Sequence, residues 1–402
     1  MTGAPSSHSD GRWIEIWFRT LLVCAMALPM LVLYTVSALG PFLAPDLDID
    51  PSQLAYLITS AFGVAAVLSL WAGAVVDRIG SRRALQLLFL TIAVAFSFTL
   101  IVPNFAGLVA AVAICGIAQA LANPVTNLLI AQRVAAKKRA KLVGLKQSGV
   151  QLAALFAGLV LPAVALTWGW RSAFGILVPL ALLFAFTAYH VTPKTHEQQK
   201  QGLKLSRPNA LLLYLMSIQF CLALALSAFV TFLPTFATQQ GMAPAMAGAL
   251  IALFGGAGML SRIVLTPLTA KLKEESWMLL SLNAASALAI VVTMQAAPGS
   301  HWPLWLGAIG VGLTAVATNA IAMSMLIKDA AFGVVTSASA YVSVAFFGGF
   351  ALGPLIYGSV LSATPNGSFL GWQITIGILI LACVLALLLA RKRHKVRTLC
   401  PC

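Results

Sequence analysis

The stretch "GAVVDRIGSRR", residues 73–83, places one carboxylate and three arginines in a short span, yet apolar runs at 52–76 and 84–102 border it on both sides. Each run is about 20 residues long, enough for a helix rising ~1.5 Å per residue to cross ~30 Å of hydrocarbon. The charged stretch therefore reads as a short, water-exposed connection between two membrane-spanning helices.

The same alternation continues in both directions. Twelve apolar runs are expected to span, at 19–42, 52–76, 84–102, 105–132, 142–166, 172–191, 209–237, 245–270, 276–296, 302–327, 331–361 and 371–390. Of the 402 residues, 60% are apolar and 9% charged, whereas a soluble domain carries about 25% charged residues. A transmembrane barrel would show alternating segments of about ten residues, so long uniform runs imply an all-α, polytopic membrane protein.

A net charge of +15 raises the question of nucleic acid, and its distribution answers against it. With the N-terminus on the cytoplasmic side, 22 of the 25 lysines and arginines fall in cytoplasmic connections and ends, and Arg171 alone falls outside. That asymmetry is the positive-inside rule, which places both termini in the cytoplasm of a multi-pass protein of a bacterial-type inner (plasma) membrane. Membrane lipids are expected contacts of the basic side. Four of the six cysteines lie in spans and Cys400 and Cys402 in the tail, so neither a disulfide framework nor a metal set is implied.

The longest polar connection, "TPKTHEQQKQGLKLSRPN" (Thr192–Asn209), divides the chain into two sets of six spans. Residues 1–191 and 209–402 are read as two pseudo-symmetric six-helix bundles, the second with a basic cytoplasmic tail, joined by a linker at 192–208. Internal similarity supports the division. Pro41, Pro51 and Asp77 correspond without a gap to Pro234, Pro244 and Ala270, "GWRSAFGIL" at 169 resembles "GWQITIGIL" at 371, and Gly116 with Asn123 resembles Gly312 with Asn319. Such repeats are characteristic of secondary carriers whose halves rock about a site near the midplane.

With this organisation around it, the opening stretch, carrying Gly73, Asp77, Arg78, Gly80, Arg82 and Arg83, resembles the signature Gly-x-x-x-Asp-Arg-x-Gly-x-Arg-Arg between helices two and three of the major facilitator superfamily. The resemblance implies a conformational gate. Gly73 would allow close helix approach and Gly80 a tight turn, the arginines would bind lipid phosphates or carboxylates, and Asp77 would cap a helix N-terminus of the other half. In the second half the match has decayed to "TPLTAKLKEES", with Ala270 and Lys271 where Asp-Arg would stand.

All ten acidic residues and all five histidines fall at span ends or in connections, whereas two cations, Lys146 in "GLKQSGVQ" and Arg262 in "GMLSRIVL", lie inside spans five and eight. A charge at mid-membrane costs at least ~2.5 kcal/mol, so something must offset each. The bland reading is snorkelling to the cytoplasmic surface or binding to carbonyls or the Asp77 region. The sharper reading is an anionic substrate, which arginine would engage as a fork and lysine as a point charge. Helices five and eight face each other in the superfamily, so both cations would border one cavity.

Tyr34, Asn123, Gln219, Asn319, Gln147 and Tyr341 are further substrate-binding candidates, as polar side chains in apolar spans, a pattern that Gln119, Asn127 and Gln151 share. Spans one, four, seven and ten line the cavity in the superfamily, which singles out the first four. Arginine in helix eight resembles the monocarboxylate and oxalate/formate branches, and "KQSG" resembles carriers labelled cyanate-permease-like. The oxalate branch also carries a helix-eleven lysine, which span eleven here lacks.

The expectation is a secondary active transporter moving a small anion, a carboxylate above others, by alternating access, as a monomer, with a co-transported proton or a counter-anion as partner and no cofactor. The alternative is a proton-coupled drug or metabolite exporter. An enzyme is not expected, because no span holds a catalytic cluster.

Overall fold

The computed structural model describes residues 7–192, 207–269, 274–333 and 335–399. The expected linker lies mostly outside these residues, as do Ala270, Lys271 and the two terminal cysteines. The described chain is helical almost throughout, and its extended pairing is limited to one bridge, Ala297 with Ser300. Helices α1 (Ser7–Asp46), α2 (Leu54–Ile79), α3 (Ser81–Ile101), α4 (Phe105–Arg133), α5 (Ala136–Gly175) and α6 (Leu177–Val191) precede the linker. Helices α7 (Ala210–Gln239), α8 (Pro244–Thr269), α9 (Ser276–Thr293), α10 (Trp302–Lys328), α11 (Val335–Ala363) and α12 (Gly367–Leu399) follow it.

Eleven stretches among the described residues are long and apolar enough to cross a membrane. The fifth, Leu142–Val191, covers expected spans five and six together, because helical hydrogen bonding continues through a bend at Gly169. Gly169 takes φ 79°, a left-handed conformation that costs glycine little, so the chain bends there with no loop. Gly80, at φ 80°, does the same between α2 and α3. Helix ends also exceed the expected limits: α1 begins before residue 19, and α12 carries the basic residues 391–397 in helical form rather than as a tail.

Before the linker, α1 packs on α5, α2 on α4, and α3 on α4 and α6; after it, α7 packs on α11, α8 on α10, and α9 on α10 and α12. Between the two sets the main contacts are α2 with α11, α5 with α8 and α1 with α7. The interior is small and close-packed where the sets meet. A Cβ on Gly158 of α5 would sit 2.6 Å from the Gly248 oxygen of α8, and one on Gly358 of α11 would sit 2.8 Å from the Ser52 oxygen. Ser37 of α1 donates to the Val230 carbonyl and Thr59 of α2 to the Ala351 carbonyl, the latter at 2.6 Å.

These contacts gather at the face that holds Asp46 and Pro51. The other face, which holds Arg78, Arg133 and Lys328, is organised differently. The main apolar cluster runs through both sets of helices, but the basic-face ends of α7, α9, α10, α11 and α12 form a second cluster around Leu215, Leu279, Ile321, Phe332 and Leu389. The two sets thus share one apolar core, and the later helices have a second one of their own toward the basic face.

Candidate substrate site and family

Lys146 enters the interior because it lies on the side of α5 that packs against α4, and it is 1% exposed. Its Nζ donates to Thr126 Oγ1 at 2.7 Å, Asn127 Oδ1 at 2.7 Å and Asn123 Oδ1 at 3.3 Å, all on α4. Residues 123 and 127 are one helical turn apart, so a single face of α4 supplies all three acceptors. The snorkelling expectation is therefore corrected: the ammonium is taken up by three neutral oxygens of the neighbouring helix. Among the described residues no carboxylate pairs with it.

Arg262 of α8 is half-buried and reaches the neighbouring residue of α5, donating from Nη1 to the Gln147 main-chain oxygen at 3.1 Å and to Gln147 Oε1 at 3.0 Å. Its Nε is buried without a partner. Gln147 Nε2 in turn donates to Asn123 Oδ1 at 3.4 Å. The two cations are thus joined through Gln147 and Asn123, across the boundary between the helix sets. Tyr34 of α1 is buried and packs its ring 6.3 Å from that of Phe254 on α8, the helix that carries Arg262.

Four of the eight substrate-binding candidates, Lys146, Arg262, Gln147 and Asn123, are joined by hydrogen bonds, and Tyr34 packs on the helix that carries Arg262. Gln219 and Asn319 pair instead with each other, Asn319 Nδ2 donating to Gln219 Oε1 at 3.0 Å between α10 and α7. Tyr341 of α11 packs against the second apolar cluster. No described hydrogen bond links these three to the cations. Thr126 was not among the polar residues singled out in the sequence, and Gln151 was one of them without being among those eight. Thr126 falls on the Asn123–Asn127 face and carries a direct bond to Lys146, and Gln151, one turn beyond Gln147, is buried with Oε1 unpartnered. Polar spacing of four residues along α4 and α5 was the available signal.

In the signature stretch Gly73 is half-buried on α2, Arg78 and Arg83 are exposed, and Gly80 makes the expected tight turn. Asp77 is exposed and caps no helix among the described residues. One expectation is corrected. Arg82 is taken up within the protein, donating to the Tyr189 carbonyl with its guanidinium 3.8 Å from the centre of that ring, which ties α3 to α6.

The second half holds a charge cluster where the signature had decayed. Arg393 of α12 is 4% exposed and donates to Glu274 Oε1 at 2.6 Å, Asp329 Oδ2 at 2.8 Å and Ser276 Oγ at 3.1 Å. Lys328 pairs with Glu275 at 2.7 Å. Nothing in the sequence separated Arg393 from its basic neighbours, because its partners lie far away along the chain.

A family model described as Major Facilitator Superfamily matches residues 21–354. The chain belongs to the major facilitator superfamily. Membership makes it a multi-pass membrane transporter. Among solved structures, the chain is similar to a bacterial homologue of the human lysosomal transporter Spinster, crystallised in an inward-facing and occupied conformation. The TM-score is 0.74 and the identity 16%, over 96% of this chain and 98% of that one, so the likeness is one of fold.

Proposed function

We propose that this superfamily member is a secondary carrier for a small anion, a carboxylate above others, working by alternating access, with Arg262 and Lys146 as its anion-attracting cations. The observation that carries the reading is the Arg262–Gln147–Asn123–Lys146 chain: two cations within one hydrogen-bonded group, spanning both helix sets, with no carboxylate paired to either among the described residues. Two uncompensated cations in a low-dielectric interior attract an anion strongly, and the anion's own charge offsets their burial.

The reading extends to architecture. The matching neighbour pairs before and after the linker support two six-helix bundles of twelve spans, at 1–191 and 209–402, with Leu142–Val191 folded back at Gly169 as two of them. The basic face is then cytoplasmic, with both termini on that side of a bacterial-type inner membrane. The separate apolar cluster at that face and the exposed Asp77 support an inward-open state, in which Asp77 is a gate that finds its partner when the face closes. The carrier works as a monomer, with a counter-anion or a proton balancing the cycle.

Uptake of radiolabelled acetate, lactate, benzoate and phosphate into proteoliposomes tests the proposal. Arg262→Ala should abolish the uptake seen with wild-type protein and Lys146→Ala should weaken it at low anion concentration, while both variants remain monodisperse. Unchanged uptake in both variants would refute the anion site.

A further inference from the structure

The donor directions within the two-cation chain carry more than proximity. An ammonium has three donors and no acceptor, and Lys146 has three acceptors around it, Asn123, Thr126 and Asn127, so none of its N–H groups is left for a ligand. At 1% exposure it also has no surface to offer one. Arg262 differs: Nη1 alone is engaged, and the remaining donors of its fork make no hydrogen bond among the described residues.

The amides between the cations are oriented by them. The oxygen and nitrogen of an amide are ordinarily assigned from their surroundings, and here a cation at each end permits one assignment. Gln147 must turn Oε1 to Arg262, which leaves its Nε2 to face Asn123. Asn123 must turn Oδ1 to Lys146 and Gln147, so its Nδ2 faces the other way. That NH2 group makes no hydrogen bond among the described residues, and Asn123 is half-buried rather than sealed.

We infer that Lys146 is a positioning residue, which does not touch the transported anion but holds Asn123 with its amide N–H groups turned toward the anion that Arg262 binds. This rests on the anion-carrier reading and assigns roles within it. Arg262 supplies the charge in contact and Asn123 a neutral donor. Lys146 prevents Asn123 from rotating its oxygen, a repelling group, into that place.

A double-mutant cycle tests the assignment, using the acetate, lactate, benzoate or phosphate that wild-type protein takes up best in proteoliposomes. Lys146→Met and Asn123→Ala should each raise KM about tenfold, the usual effect of losing one hydrogen bond to a charged group. Vmax per folded carrier should be retained, whereas a purely structural role would lower Vmax. The double variant should match Asn123→Ala within about threefold, and a larger further rise in KM overturns the inference, because a contacting lysine acts in either background.

Asn123→Asp guards against misfolding, since the new carboxylate pairs with Lys146 and keeps the fold. It should lose uptake while its melting temperature is maintained, and retained uptake overturns the inference. If wild-type protein takes up none of the four anions, the carrier reading falls and this one with it. If uptake depends on Arg262 but the cycle is additive, only the role given to Lys146 falls.

Discussion

Arg262 of α8 donates through a single nitrogen to both oxygens of Gln147 on α5, at 3.1 and 3.0 Å. Two other described hydrogen bonds cross between the helix sets, Ser37 to Val230 and Thr59 to Ala351, and both lie nearer the opposite face. The Arg262 bond is therefore the crossing closest to the basic face. A ligand that competes for the guanidinium acts at the joint between them.

Arg262→Lys keeps the charge and removes the fork. A lysine would reach Gln147 but offer a carboxylate a point charge rather than two parallel donors. KM for anion uptake should rise tenfold or more, about 1.4 kcal/mol. An unchanged KM in the same proteoliposome assay would mean that charge alone suffices.

Gly158→Val tests the seal at the opposite face. Any side chain at Gly158 overlaps Ala252 and Gly248 of α8, where backbone cannot yield as a flexible side chain would. The variant should favour the state open at that face. Spin labels at exposed Pro103 and Pro298, one on each side of the interface, should move apart in pulsed EPR relative to the parent protein.

Arg393→Met removes a buried cation that holds Glu274 and Asp329 together. Breaking a buried ion pair from one side costs about 3 kcal/mol or more. Detergent-solubilised protein should lose thermal stability accordingly, while Arg391→Met, at an exposed neighbour, should stay within about 0.5 kcal/mol.

Asp77→Asn should leave stability within about 0.5 kcal/mol, because the exposed carboxylate has no described partner to lose. If Asp77 is engaged only when the basic face closes, the variant should slow turnover without altering KM. Equal rates for the variant and the parent would remove Asp77 from the cycle.

The helices and their membrane character were legible because long apolar runs leave no other fold, and the family was legible in Asp77, Gly80 and the arginines around them. Gly169 was harder to read: apolar runs end where a polar loop begins, and here the chain turns on one left-handed residue with helix on both sides. Lys146 and Arg262 could be marked as unpaired by counting acids, which needs no structure. Their partners could not be named, because Gln147 and Asn123 differ from Gln219 and Asn319 only in what the neighbouring helices bring to them. Arg393 was hidden among basic residues that suit a topology signal equally well, since charge sign marks a face of the membrane and says nothing of burial.

The second apolar cluster, centred on Leu215, Ile321 and Phe332, gives the basic-face end of the later helices a cooperativity of its own. A region whose apolar contacts close on themselves opens at its own free energy, so its amides should exchange with solvent at rates distinct from those of the shared core. Loosening that end would change how fast the protein cycles without breaching the barrier at the opposite face. Damage there would register as altered speed, whereas damage around Gly158 would register as leak.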